Sequence, residues 1–226
     1  MQPVYFITGT DTGAGKTVLT ALLARFLRHH RVNVAAFKPI CSGGREDAVA
    51  LHMALGGTMT LDEINPWHFR APIAPALAAQ REKKSVKFAH VLAHIRATQK
   101  AFNITLVEGA GGLLSPLGKD FDSRDLISAL RATPIIVATN KLGAVNHILL
   151  TFEALPKNLR NKGCVVLMSP PKPDPATASN AALLGRFLPA EKIMMLPWLG
   201  KNLSHTQAIA MPPVKRTLQK LVGGRF

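Results

Sequence analysis

A glycine-rich run, Gly9-Thr10-Asp11-Thr12-Gly13-Ala14-Gly15-Lys16-Thr17, follows an apolar segment and opens a stretch of helical spacing. A phosphate-binding loop occupies that position between a strand and a helix. Its glycines let backbone N–H groups converge on phosphate oxygens, and the helix start adds a positive dipole. Lys16 reaches the outer phosphates, and the Thr17 hydroxyl coordinates Mg²⁺. The spacing is not the commonest one: five residues separate Gly9 from Gly15, and Thr10 stands where the first glycine would be. A plain glycine-rich turn is a poor alternative, because Gly15-Lys16-Thr17 falls at the helix start.

The elements that must position these groups alternate between strand-like and helix-like. Short, continuously apolar segments run over Val4 to Thr8, Val34 to Lys38, Thr105 to Glu108, Pro134 to Thr139, Gly163 to Met168 and Lys192 to Leu196. Strands buried on both faces of a parallel sheet have this character. Helices are predicted over Lys16 to His29, behind a Ser85 cap (with Phe88, Val91, Leu92, Ile95 and Phe102 at helical spacing), near Ser123, near Asn146 and after Asp174. The expected fold is α/β, a P-loop NTPase-like doubly wound, mainly parallel sheet with helices on both faces, in a single domain over residues 1–226. Lys38 then ends the second strand and Glu108 the third, so both share one sheet edge with the phosphate loop.

Composition bounds the partners. The chain has 226 residues, 47% of them hydrophobic, enough for a substantial core. No apolar run approaches the ~18 residues that span a bilayer, and no signal-peptide pattern precedes Val4, which suggests a cytosolic enzyme. Cys41 and Cys164 are far apart and form neither a disulfide framework nor a metal pair. The formal net charge is +15, and from Lys157 onward eleven Lys or Arg stand against Asp174 and Glu191. They are spread over several elements without a nucleic-acid-binding signature, so a generally basic surface is the simpler reading.

Four motifs recur together: Gly9-Thr-Asp-Thr-x-x-Gly-Lys-Thr17, Lys38-Pro-x-x-Ser-Gly43, Val107-Glu-Gly-Ala-Gly-Gly112 and Lys141-Leu-Gly-x-x-Asn-His147. In identity, order and spacing they resemble the dethiobiotin synthetase family. Phe69-x-x-Pro-x-Ala-Pro75 and Leu196-Pro-Trp-Leu199 extend the likeness over almost the whole chain. The resemblance implies that 7,8-diaminopelargonate takes up carbon dioxide as a carbamate, that ATP phosphorylates it, and that the second amine closes a ureido ring.

It also implies roles. Lys38 and Lys16 would be the catalytic cations. Thr12, Gly13, Ala14, Gly15, Lys16 and Thr17, with Asp47, Glu108, Gly109, Ala110, Gly111, Pro197, Trp198 and Leu199, would bind nucleotide. Thr12, Lys38, Ser42 and Asn146 would bind substrate, with Asn146 serving a partner subunit in a homodimer. Thr17, Asp47 and Glu108 would hold Mg²⁺, which prefers hard oxygen ligands.

Several positions depart from the family. Only Gly43-Gly-Arg-Glu46 separates Ser42 from Asp47. This short loop leaves open whether Asp47 is a metal ligand, a helix-dipole carboxylate, or is replaced by Glu46. Gly13 stands where some relatives have Glu. Leu167 lies near the place of an adenine-reading Asn, which would weaken nucleotide discrimination. Cys41 reads as a small filler, and His90 and His94 as a solvated helix face. Trp67 reads as a core residue.

Two rival functions remain. A cobyrinic-acid-type amidotransferase needs a glutamine-hydrolysing domain for which the chain has no room. A DNA-partitioning ATPase would use the basic surface on nucleic acid, but it carries a second lysine early in the loop, near Asp11 here. Nucleic acid is accordingly not expected as a partner; small molecules are.

Overall fold

The computed structural model describes residues 2–200 and 202–224. Six strands form one parallel sheet: β1 (Val4–Gly9), β2 (Val34–Phe37), β5 (Ile104–Gly112), β6 (Thr133–Thr139), β7 (Cys164–Met168) and β8 (Ile193–Leu196). Their order across the sheet is β2-β5-β1-β6-β7-β8. All five pairings are parallel. All six were legible as apolar runs, since β1, β2 and the middle of β6 are buried on both faces.

The chain starts in the middle of the sheet, places β2 at one edge, returns to insert β5 between β2 and β1, and then builds outward through β6, β7 and β8 on the other side of β1. That reversal puts a crevice at the carboxyl end of β1, where open α/β sheets bind ligands. The helix Lys16–His29 packs on β1, β2 and β5, against the helices Glu46–Ala54, His205–Ala210 and Pro212–Leu221. A second group comprises Phe88–Gln99, Ser123–Leu130, Ala144–Ala154 and Asn180–Leu184. These pack on β2, β1, β6 and β8 respectively. Among the described residues no helix is long and apolar enough to cross a membrane.

The structure corrects three boundaries. The third large strand does not end at Glu108 but runs on to Gly112, with its register to β1 shifting between Ile7 and Gly9. Ser85 does not cap the helix that follows it. Buried Val86 draws the chain inward, backbone at Lys87 stays extended, and the helix starts at Phe88 without a side-chain cap. After Asp174 a capped 3₁₀ turn, Pro175–Ala178, precedes the short α-helix.

A second sheet was not foreseen. β3 (Ile40–Ser42) and β4 (Trp67–Phe69) pair in parallel just beyond the end of β2. Three-residue strands carry too little periodicity to be seen in sequence. The pair holds the Lys38–Ser42 segment against the Phe69–Pro75 segment, through Gly43 N–H donating to Phe69 O at 3.0 Å and Trp67 N–H donating to Pro39 O at 3.1 Å.

Phe6, at the centre of the sheet, is fully buried. Phe6→Ala should therefore cost about 3–5 kcal/mol, whereas Ile7→Val should cost about 0.5–1.5 kcal/mol. Urea unfolding of the two variants against the parent checks the size and order of these losses.

Candidate active site

The phosphate loop leaves β1 and closes on the helix Lys16–His29. Gly13 and Gly15 sit at φ 74° and 98°, left-handed backbone that a side chain would strain. A Cβ on Gly15 would also come within 3.1 Å of the Met168 side chain, a tight contact that the methionine would have to relieve. The helix begins with no acidic residue in its first turn, which leaves its positive end open to an anion. Lys16 curls back over the loop and donates from Nζ to Asp11 O at 3.0 Å. Burial, reinforced by the nearby Lys38 charge, lowers the Lys16 pKa to about 8.

Beside the loop lies a second charged group. Lys38 follows β2 and is almost completely buried, with Nζ 2.7 Å from Glu108 Oε1, 2.8 Å from Asp47 Oδ2 and 3.0 Å from Gly109 O. Burial alone would depress a lysine. The two carboxylates, by charge and hydrogen bond, reverse that and hold Lys38 above the ordinary lysine value. Burial likewise opposes the charge on Asp47, but Lys38 and the Thr17 hydroxyl hold its pKa below the usual aspartate value.

Thr17 ties the two groups together. Its Oγ1 lies 2.8 Å from Asp47 Oδ1 and 2.7 Å from Glu108 Oε1. A hydroxyl has one proton and can donate to only one of these oxygens at a time. The other contact brings two oxygen acceptors together with nothing between them. Glu108 Oε2 is moreover buried without a hydrogen-bond partner. Two carboxylates and a hydroxyl converging with an orphaned oxygen are a donor set that fits a hard divalent cation.

The cleft around these groups has a volume of about 700 Å³. Of the residues singled out from sequence, Thr12, Gly13, Gly15, Lys16, Thr17, Lys38, Ser42, Asp47, Ala110 and Gly111 line it. Ala14 is buried behind the loop, Glu108 is buried behind Thr17 and Lys38, which it touches, and Gly109 supplies a carbonyl to Lys38. Ser42 Oγ donates to Ile73 O at 2.5 Å, which fastens the Pro72–Pro75 segment over the cleft. Asp47, not Glu46, faces the site. Glu46 folds over Gly44 instead, where a Cβ would fall 1.8 Å from its carboxylate.

Asn146, Pro197, Trp198 and Leu199 do not line this cleft. Asn146 is exposed on the first turn of Ala144–Ala154, and Trp198 is about half exposed, at 48%. Leu167 is completely buried in the sheet; the residues that emerge at that strand end are Met168 and Ser169. Strand alternation turns Leu167 inward, which a count along the sequence could not resolve. The neighbouring amides are already used. Asn140 Nδ2 donates to Thr177 O at 3.0 Å, and its Oδ1 accepts from Asn180 Nδ2 at 2.8 Å.

Other expectations divide. Cys41 is buried, and burial pushes its thiol pKa up, as expected of a filler. Cys164 is pushed up to about 12 by the same cause. His94 is not on a solvated face: its ring stands edge-on to Phe37 and Trp67, and Nε2 lies 2.7 Å from Glu63 O. Trp67 packs against the core. Sequence reasoning missed Asn65, 1% exposed, whose Nδ2 donates to Lys38 O at 2.7 Å. The one available signal was the Thr60-x-x-Glu63 capping box, which starts the short helix Leu61–Ile64 that ends at Asn65.

Comparison with known proteins supplies the family. A family model described as an AAA domain matches residues 4–205. ATP-dependent dethiobiotin synthetase of Anaeromyxobacter dehalogenans (strain 2CP-C) is 40% identical over 198 residues, covering 85% of this chain and 89% of that protein. The Bacillus licheniformis protein of the same name is 34% identical over 209 residues, covering 90% and 88%. That of Methanococcus vannielii is 38% identical over 162 residues, covering 72% and 75%. Among solved structures, pNOB8 ParA bound to nonspecific DNA superposes with a TM-score of 0.56 at 13% identity, over 98% of each chain. The septum site-determining protein MinD with Mg-ADP, from Pyrococcus horikoshii, gives 0.53 at 15% identity, over 98% of this chain and 94% of that one. At such identities these structures show the fold alone, a P-loop NTPase-like α/β sheet. With relatives 34–40% identical over most of its length, the chain belongs to the ATP-dependent dethiobiotin synthetases, a family of ligases.

Proposed function

We propose that this chain, as one ligase domain, carboxylates 7,8-diaminopelargonate with carbon dioxide and closes its ureido ring at the expense of ATP. The observation that carries the reading is the meeting of the phosphate loop with Lys38 and Asp47 in one cleft, with Glu108 buried behind them in contact with Lys38 and Thr17. One amine of the diamine takes up carbon dioxide as a carbamate. A carbamate oxygen then accepts the γ-phosphoryl group of ATP and ADP departs. The second amine attacks the carbonyl carbon of this carbamic-phosphoric anhydride, phosphate leaves with the bonding electrons, and the amine loses its proton as the ring closes.

The chemistry brings an anionic carbamate up to an anionic phosphate, so the protein's task is to hold cations where the two meet. Lys16 and Lys38 are these cations, both lining the one cleft. Lys38 is held charged by its two carboxylates; its three protons go to Glu108 Oε1, Asp47 Oδ2 and Gly109 O, and in the reaction it exchanges the Gly109 bond for one to the carbamate. Thr12 and the Gly109-Ala110-Gly111 backbone border the reacting groups. Ser42 exchanges its bond to Ile73 O for the substrate, and Pro72 and Ile73 flank the alkyl chain. Thr17, Asp47 and Glu108 would hold Mg²⁺, which when bound supplies charge neutralisation at the phosphates. A covalent enzyme intermediate is unnecessary; positioning and electrostatics suffice.

The working unit in this reading is a cytosolic homodimer. Asn146 lies outside the cleft of its own chain, and the surface around it carries Leu142, 80% exposed, and Leu150, 60% exposed. Apolar side chains beside a helix N-terminus suit a subunit contact that delivers an anion site to the neighbouring cleft. Pro197, Trp198 and Leu199 would meet the base.

Incubation with diaminopelargonate, bicarbonate and Mg-ATP should give dethiobiotin by mass spectrometry, with ADP release that requires the diamine. Equal ATP turnover with and without diamine would count against the reading. Lys38→Ala should lower kcat by about 10²-fold or more while ATP binding survives, because it removes a preorganised cation from the transferring group. Loss of nucleotide affinity with unchanged kcat would instead make Lys38 a binding residue.

The lowered pKa of Lys16 sets a pH dependence for nucleotide binding. With its pKa at about 8 in the free protein, Lys16 is charged below that pH and must take up a proton above it to meet the triphosphate. Affinity should be flat below pH 7 and fall by about tenfold between pH 7 and pH 9 by proton linkage. Calorimetric titration with a non-hydrolysable ATP analogue, in buffers of different ionisation enthalpy, should show net proton uptake at pH 8. Its absence would mean that Lys16 keeps its proton in the free protein.

A further inference from the structure

We infer that Asn65 and Arg45 are positioning residues, a clamp that sets Lys38 and Asp47 at the separation the proposed ring-closing reaction requires. The two functional residues reach the site by different routes. Lys38 stands on an extended segment after β2. Asp47 lies in the first turn of Glu46–Ala54, separated from Ser42 by a connection of only four residues that includes Gly43 and Gly44. Neither glycine has a side chain to anchor that connection, and Gly43 is in left-handed backbone at φ 87°.

Arg45 is the N-cap residue of the Asp47 helix, a position usually given to a short side chain that accepts from the helix amides. Here the side chain makes no such bond and turns away. Its Nε donates to Asn65 Oδ1 at 3.2 Å. One terminal nitrogen, Nη2, lies 3.0 Å from Leu61 O, 2.9 Å from Asn65 O and 2.8 Å from Asp62 Oδ1. A cation is thus set on the carbonyls of Leu61 and Asn65 and on the Asp62 carboxylate, which fastens it to the short Leu61–Ile64 turn.

Asn65 completes the connection to Lys38. Its Nδ2 donates to Lys38 O at 2.7 Å and reaches Pro39 O at 3.4 Å, while the Lys38 N–H donates to Ile64 O at 3.0 Å. One buried amide therefore grips the backbone of Lys38 with its nitrogen and, through Arg45, the start of the Asp47 helix with its oxygen. Neither residue lines the cleft. Their action is on geometry, and an error of about 1 Å in the placement of reacting groups can cost about 10²-fold in rate.

The test uses the parent, Asn65→Ala, Arg45→Ala and the double variant. In the ligand-free proteins, reductive methylation read by peptide mass spectrometry compares Lys38 with exposed Lys100. Cutting the clamp should raise Lys38 labelling by about fivefold or more relative to Lys100, through local opening of the segment. In turnover, either single variant should lower kcat by about tenfold or more while the ATP dissociation constant stays within about twofold, since the phosphate loop is untouched. The double variant should be about as slow as the slower single, because both residues act through one connection.

A merely structural role would lower melting temperature but leave kcat of the folded enzyme near the parent value. Should Asn65→Ala not fold, Arg45→Ala carries the test, because the Arg45 side chain is 29% exposed and its loss leaves no large cavity. Parent-level Lys38 labelling in the folded variants, kcat within twofold of the parent, or independent multiplication of the two effects would overturn the clamp. A parent enzyme that makes no dethiobiotin overturns the proposed reaction, and the labelling result still judges the clamp.

Discussion

A lysine ammonium almost sealed from water, held between two carboxylates, is the interaction on which this active edge depends. Lys38, Glu108 and Asp47 come from a strand end, a neighbouring strand and a helix start, so the triad binds three elements at one point. Removing Lys38 or Glu108, both sealed from water, leaves an uncompensated buried charge at a cost of about 3–5 kcal/mol, whereas Asp47, 43% exposed, contributes less because water screens it. Stability and chemistry therefore draw on the same atoms. The Thr17 hydroxyl extends the set to the phosphate loop, so the loop and the carboxylates cannot move independently.

The charges in the cleft balance before any ligand enters: Lys16 and Lys38 face Asp47 and Glu108. A triphosphate accompanied by a divalent cation brings charges of both signs and has a counterpart for each within the cluster. The strongly basic remainder of the chain lies outside this balance. Its effect is a long-range attraction for anionic ligands that weakens with salt.

The large elements were legible because each obeys one local rule. Six strands read as apolar runs, most of them buried on both faces, and Lys16–His29 read as a helix to the residue. Phosphate-loop chemistry was legible because glycine, lysine and threonine have to follow one another there. Three-dimensional decisions stayed hidden. Whether Asp47 or Glu46 turns inward depends on Glu46 filling the space above Gly44, and the sequence lists both acids side by side. Leu167 and Met168 exchange roles through the alternation of one strand. Asn65 acts through backbone carbonyls far away in sequence, and no spacing rule reports on such bonds.

The strand order also bears on how the chain comes to be folded. β1, which precedes the other strands of its sheet in the chain, has as its two neighbours Ile104–Gly112 and Thr133–Thr139. At ribosomal rates of ~5–20 residues per second, the segment Val4–Gly9 waits roughly 5–20 s for its first partner and longer for its second. During that interval an apolar strand with both edges open is exposed to other chains, the condition under which unpaired strands aggregate. The phosphate loop hangs from that strand and can take shape only once the middle of the sheet has closed. Nucleotide-binding competence is thus a late event in biogenesis, reached only after the chain has emerged through Thr139.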